Sequence, residues 1–210
     1  MIIEKERVFV FGASGHAKVV LDIIERQGGY SVGCVLDDNL ALSGKKLHGH
    51  TILSPRERIL SAGIKRGIVA VGDNVARCRI SEWLRKKGFS LVSLIHPSVQ
   101  LARGVTIGDG TVLMPGVVIN SDAKIGRDAI INTCSSVDHD CVIGSGVHVA
   151  PGSVLCGAVR VGNMAFIGAG TVIIPNISVG SRATVGAGST VISNIPPGVT
   201  VMGSPARAKI

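Results

Sequence analysis

Asp138, His139 and Asp140 set an imidazole between two carboxylates, and His148 follows nine residues later. A carboxylate beside a histidine favours the imidazolium, raises the ring's pKa and basicity, and fixes its tautomer, which makes His139 the best general-base candidate in the chain. His139 and His148 lack a third ligand at a recognisable spacing, so no metal is expected on them. A second constellation lies in the first half: Gly12-Ala13-Ser14-Gly15-His16, Asp37-Asp38 and Gly72-Asp73-Asn74 each close an apolar run. A glycine loop that opens a helix offers backbone N–H groups to a phosphate, and an acidic residue after a second strand accepts hydrogen bonds from hydroxyls or a base imide.

The elements that carry these residues are of two kinds. At a strict spacing of six, Ile107, Leu113, Ile119, Ile125, Ile131, Val137, Ile143, Val149, Leu155, Val161, Ile167, Ile173, Val179, Val185 and Val191 are all aliphatic. Period six fits neither a helix nor a simple strand, but it suits a parallel β-helix, in which three six-residue units close one triangular coil. Gly108, Gly126, Gly144, Gly162 and Gly180 repeat every eighteen residues, one coil apart, and glycines are expected to supply the left-handed backbone of the corners. The residue two before each aliphatic one is mostly small or β-branched (Thr111, Val117, Ala129, Ser135, Cys141, Val147), as a second inward position requires. Asp138-His139-Asp140 interrupts this pattern just after the inward Val137, and His148 is read as the matching corner edge beside Val149.

The first ninety residues alternate strand and helix: Arg7 to Phe11, a helix from Lys18 to Gln27, a strand Val32 to Leu36, a helix Ser54 to Ser61 with Glu57 at the capping-box position, a strand Gly67 to Val71, and a helix Val75 to Lys87. That order implies a small Rossmann-like α/β domain with a parallel sheet, whose ligand lies beyond the carboxyl ends of the strands, where Ser14, Asp37 and Asn74 fall. The loop is not the GxGxxG fingerprint, which disfavours NAD. Arg77 is read either as a diphosphate partner or as a surface helix residue. The expected domains are therefore 1–94 and 95–210.

Composition narrows the function classes. The 210 residues carry a formal charge of +8, 28 Gly and 3% aromatics, so the core is aliphatic and polyanionic partners are favoured over neutral ones, with a solvated basic surface as the alternative. Basic residues are dispersed and almost no aromatic stacking material accompanies them, which argues against nucleic acid. No apolar run of spanning length and no secretory leader pattern is seen, so the expectation is a cytoplasmic protein that does not insert in membranes. Five cysteines, Cys34, Cys78, Cys134, Cys141 and Cys156, are odd in number and lack CxxC spacing, and are read as small buried thiols.

The ordered set Gly12-Ala13-Ser14-Gly15-His16, Leu36-Asp37-Asp38, Val71-Gly72-Asp73-Asn74, Ile95-His96-Pro97, Asn132-Thr133, Val137-Asp138-His139-Asp140-Cys141 and Gly203-Ser204-Pro205-Ala206, together with the repeat, resembles the bacterial nucleotide-sugar N-acetyltransferase and sialic acid O-acetyltransferase family of the PglD/NeuD type over nearly the whole chain. The resemblance implies that the C-terminal solenoid is a left-handed parallel β-helix of hexapeptide repeats, and it implies a homotrimer, acetyl-CoA as donor bound between neighbouring solenoids, and a UDP- or GDP-linked 4-amino-4,6-dideoxy sugar bound by the N-terminal domain. It implies His139 as the base that takes the proton of the sugar 4-amine, with Asp140 in the place where Glu is common. It also implies His148 near the thioester, the Gly157 N–H facing the developing oxyanion, Ala169 and Ala187 as later donor contacts, and Ser14, Gly15, His16, Asp37, Asp38, Gly72 and Asn74 as the nucleotide-sugar pocket. The rival readings are an O-acetyltransferase acting on sialic acid or a polysaccharide hydroxyl, a non-catalytic solenoid scaffold, and a γ-type carbonic anhydrase, the last of which needs a third histidine per site.

Overall fold

A computed structural model describes residues 5–209, and the chain divides into two compact units after Pro97. In the first unit the elements run β1 (Glu6–Phe11), α1 (Gly15–Gln27), β2 (Tyr30–Leu36), β3 (Lys46–Leu47), β4 (His50–Leu53), β5 (Arg66–Val69), α2 (Asn74–Lys86) and β6 (Ser90–Leu91). They form one sheet in the order β3-β4-β2-β1-β5-β6. β1 lies at its centre, parallel to β2 on one side and β5 on the other. Val8, Phe9, Val10 and Phe11 are all buried, so β1 reads as a continuous apolar run with both faces covered. One face packs Phe9 and Phe11 with Leu36, Ile59, Ile80 and Leu84. Helix α1 buries Ala17, Val20, Leu21, Ile23 and Ile24 at helical spacing and ends at Gly28 with φ 81. Because the chain moves from β1 to β2 and later crosses to β5, the carboxyl end of β1 is the topological switch point of the sheet, the place where such sheets bind ligands.

Three local expectations need correction. The second strand begins at Tyr30, ahead of Val32. The segment expected as an α-helix from Ser54 is a 3-10 turn, Arg56–Ser61, capped by Pro55 with no side-chain cap bond, so no capping box forms at Glu57. Ser54 Oγ donates instead to the carbonyl of Asp37 at 2.5 Å. The antiparallel pair β3–β4 was not expected, and it turns through His48 and Gly49, both at positive φ.

In the second unit two-residue strands recur every six residues and pair in parallel with the strand eighteen residues on, as Val118–Ile119 does with Ser136–Val137 and that with Val154–Leu155. The strands line three faces of a left-handed β-helix. Every ladder residue from Leu113 to Val191 is buried and Ile107, on the first coil, is half-buried. The second inward column is buried too, from Thr111 and Val117 to Ala183 and Ser189. Where it is polar it bonds the neighbouring coil, as Ser153 Oγ does with the carbonyl of Gly168 at 2.9 Å.

The corners revise the account of the glycines. Every sixth residue from Gly104 to Gly188 has positive φ, yet Asp122, Asp128, Cys134, Asp140, Ala158, Met164, Asn176 and Arg182 hold this conformation as well as glycines. The glycines at eighteen-residue spacing serve another purpose. A methyl group on Gly126 would lie 2.6 Å from the Ser145 nitrogen and one on Gly162 would lie 2.5 Å from the Ser181 nitrogen, so these positions are bare because the next coil passes over them. Among the described residues no helix is long and apolar enough to cross a membrane.

Candidate active site

The corner between the strands Ser136–Val137 and Val142–Ile143 carries the imidazole site. Asp140 sits there at φ 60, in the left-handed conformation that Asp tolerates better than most side chains. From that position its Oδ2 meets His139 Nδ1 at 2.8 Å, so the shorter carboxylate reaches the ring. A carboxylate only accepts, so Nδ1 carries the proton and Nε2 keeps its lone pair. Nε2 faces Gly157, one coil on, where a methyl group would stand only 2.6 Å from it. Asp138 turns back instead: its Oδ1 accepts the His139 N–H at 2.7 Å and the Asn120 amide at 2.8 Å.

The hydrogen bond to Asp140, followed by the charge of Asp138, holds the His139 pKa above its ordinary value. The Asn120 amide, then the His139 N–H, holds the Asp138 carboxyl below the usual range. His139 and Asp140 are 59% and 64% exposed, so the pair is open to an incoming molecule. Gly157 lies buried beneath the ring, and among the described residues its N–H meets no acceptor.

His148 stands elsewhere. It lies on a strand, His148–Val149, between Ile130 and Phe166 on one sheet, and not at a corner as the repeat suggested. Its Nε2 is 3.1 Å from the Asn132 amide nitrogen and its ring meets Phe166 edge-on at 5.3 Å. The strand Val142–Ile143 separates it along the coil from the His139 corner. Ala169 and Ala187 are exposed, stacked one coil apart on a third corner, where the Gly188 N–H donates to the Ala169 carbonyl at 2.8 Å. Within one chain, therefore, His139, Asp140 and Gly157 come together while His148, Ala169 and Ala187 lie apart from them. Asn120 was missed by sequence reasoning, although it precedes Asp138 by one eighteen-residue coil, which was a usable signal.

The residues singled out in the first unit gather at the carboxyl edge of its sheet. Gly12 has φ +116, and a side chain there would meet the Ala70 carbonyl at 2.6 Å, so β1 can leave the sheet only through glycine. Ser14 occupies the cap position of α1 without bonding its backbone, and Gly15 and His16 form the first turn. Asp37 straps the loop: Oδ2 accepts the Ala13 N–H at 2.9 Å and Oδ1 the Asn39 N–H at 2.8 Å. Asp38 is paired with Arg56. Arg77 is 1% exposed and is neither of the two things expected of it. Its Nη1 donates to the Val71 and Gly72 carbonyls, each at 3.0 Å, and Nη2 to Asn74 Oδ1 at 2.7 Å, so it props the loop after β5 from within.

The thiols are only partly as expected. Cys141 is buried, Cys34, Cys78 and Cys156 are half-buried, and Cys134 is exposed, because its corner points its Cβ outward. Burial pushes the Cys141 and Cys34 thiols up to about 11, so both are protonated and unreactive at neutral pH.

Comparison with known proteins bears on both units. Residues 7–84 match the PglD N-terminal domain, and residues 122–157 and 158–193 match the bacterial transferase hexapeptide (six repeats). GDP-perosamine N-acetyltransferase of Escherichia coli O157:H7 is 33% identical over 163 residues, which are 75% of this chain and 73% of that protein. PerB from Caulobacter crescentus, solved with CoA and GDP-perosamine, has a TM-score of 0.90 and 38% identity over 99% of this chain and 98% of its own. The acetyltransferase domain of PglB from Neisseria gonorrhoeae, solved with acetyl coenzyme A, has a TM-score of 0.90 and 33% identity over 98% of this chain and 100% of its own.

Proposed function

Because the chain belongs to the hexapeptide-repeat N-acetyltransferases that carry a PglD-type N-terminal domain, we propose that it moves the acetyl group of acetyl-CoA to the 4-amino group of a nucleotide-linked 4-amino-4,6-dideoxy sugar. The observation that carries this reading is His139, whose Nδ1 is anchored on Asp140 and whose Nε2 is left as the accepting nitrogen over Gly157. His139 Nε2 takes the proton of the amine as its nitrogen forms the amide bond and the carbon–sulfur bond breaks, and returns the proton to the departing thiolate. The imidazolium so formed is stabilised by Asp140 and Asp138. The Gly157 N–H, free of any protein acceptor among the described residues, suits the thioester oxygen as it gains charge. His148, Ala169 and Ala187 lie on other faces, so their role in holding the donor requires the His139 corner of a neighbouring chain, which fits a homotrimer with the donor between solenoids. The reading places the enzyme in the cytoplasm, where CoA thioesters and nucleotide sugars are available.

A panel of UDP- and GDP-linked amino sugars assayed with acetyl-CoA, reading released thiol, tests the proposal. One member of the panel is expected to turn over, with an N-acetyl product by mass and NMR. An O-acetyl product on a sugar hydroxyl establishes the rival acceptor class instead, and no thiol release with any acceptor leaves the scaffold reading.

A further inference from the structure

We propose that Asn120 is a positioning residue for the base: from one coil away it fixes the Asp138 carboxylate, and through it the backbone on which the His139 imidazole stands. The proposal rests on the acetyltransferase reading above and adds to it a residue that does not touch the reacting atoms. Asn120 Nδ2 donates to Asp138 Oδ1 at 2.8 Å, and the same oxygen accepts the His139 N–H at 2.7 Å. One oxygen therefore joins a side chain of the preceding coil to the peptide of the imidazole. Among the described residues Asp138 Oδ2 accepts no bond from the protein. Without Asn120 the carboxylate would keep a single tether, the N–H of the very next residue, and would be free to turn into water.

The coil itself does not require this link, which separates it from ordinary solenoid packing. The backbone ladder already joins the Asp138 N–H to the Leu155 carbonyl at 2.9 Å, the Asp140 N–H to the Ser121 carbonyl at 3.0 Å and the Ala158 N–H to the His139 carbonyl at 2.8 Å. The group at this corner that the ladder leaves over is the His139 N–H, and Asp138 takes it. On the next coil the equivalent N–H, that of Gly157, meets no acceptor among the described residues, and the corner forms all the same. At eighteen-residue spacing the column reads Ala102, Asn120, Asp138, Cys156, Ile174 and Ile192, so its one amide and its one acid stand on the coil of His139 and the coil before it. Asn120 is exposed and Asp138 half-buried, so no core depends on their bond. The electrostatics point the same way. The charge of Asp138 supports the imidazolium, second only to the hydrogen bond from Asp140. A carboxylate that swings outward stands farther from the ring and supports it less.

Asn120→Ala tests the proposal, with turnover measured beside the titration of the His139 ring, the latter by NMR of histidine-labelled protein with the resonance assigned from His139→Ala. The variant is expected to lower kcat about three- to tenfold, to leave KM for both substrates within about twofold, and to move the His139 midpoint to lower pH both by NMR and in kcat/KM. In an Asp138→Ala background the same substitution should add nothing, since its effect passes through that carboxylate. Ala102 and Cys156 hold the equivalent position on other coils, so Asn120→Cys repeats the measurement should Asn120→Ala fail to fold. Unchanged turnover with an unchanged midpoint overturns the proposal. So does a loss of kcat that persists in full beside Asp138→Ala, or one that comes with an unmoved midpoint, since either would make Asn120 a support for the shape of the corner alone. A lowered His139 midpoint in Asn120→Ala, when the wild type acetylates no amino sugar, would instead keep the link from Asn120 to His139 and remove the acetyltransferase reading.

Discussion

At the scale of single residues the site is an arrangement for keeping one nitrogen basic and in place. His139→Ala is expected to lower turnover by ~10^2- to 10^4-fold, the usual worth of a general base, with acetyl-CoA binding retained by calorimetry. The pH dependence follows from the raised His139 pKa. Below that pKa the ring is an imidazolium and cannot accept the amine proton, so kcat/KM should rise with pH through a midpoint above about 6.5. Asp140→Asn removes the largest cause of the shift, so its midpoint should move to lower pH and its plateau should drop by about ten- to a hundredfold; an unmoved midpoint would show that another group titrates. Gly157→Ala separates position from chemistry. Its methyl group would stand 2.6 Å from Nε2, so the ring must shift while every titrating group remains. A loss of about 10^2 in kcat with an unchanged midpoint is expected, and wild-type turnover would mean that the ring is not held where catalysis needs it.

At the scale of elements the two classes of glycine make different demands. Gly126→Ala drives a methyl group to 2.6 Å from a backbone nitrogen of the next coil, whereas Gly170→Ala meets nothing within 4 Å and must only tolerate φ +66. The first should cost about 1–3 kcal/mol as overpacking against backbone that cannot move aside. The second should cost roughly 1 kcal/mol or less, since Ala158 already adopts φ 59 on an equivalent corner. Urea unfolding of the two variants checks the order, and a larger loss at Gly170 would refute it. The same contrast explains what was legible in the sequence. Period six was readable because inward positions admit only aliphatic residues and the burial repeats without interruption. The eighteen-residue glycines were readable as a period but not as close approaches, which depend on a coil not adjacent in sequence. In the α/β unit the strand order and the ligand edge were legible from alternation and loop residues. The burial of Arg77 was not, because its partners are mostly main-chain carbonyls that any sequence supplies, and the pairing of Asp38 with Arg56 spans eighteen residues with no periodic signal.

At the scale of the whole molecule the faces of the solenoid differ in what they show to water. The sheet that includes Val118, Ser136, Val154 and Val172 turns three valines outward, Val118, Val154 and Val172 at 38%, 39% and 38% exposed, with the half-buried Ser136 between the first two. The sheet with Thr106, Lys124, Val142, Arg160 and Ser178 turns its two cations outward instead. An uncharged, mostly aliphatic column on one face suits an association surface, and a face that must meet its symmetry mates tolerates no charge at its centre. On the proposed reading the donor lies between solenoids, and His139 of one chain and His148 of another would act together only while that contact holds. Wild type should therefore sediment at three times the mass of the 21.6 kDa chain. Val154→Glu should lower that mass and abolish turnover, while nucleotide binding by the first unit persists. A Val154→Glu protein that stays trimeric would move the interface to another face, and one that is monomeric yet fully active would show that a single chain holds the whole site.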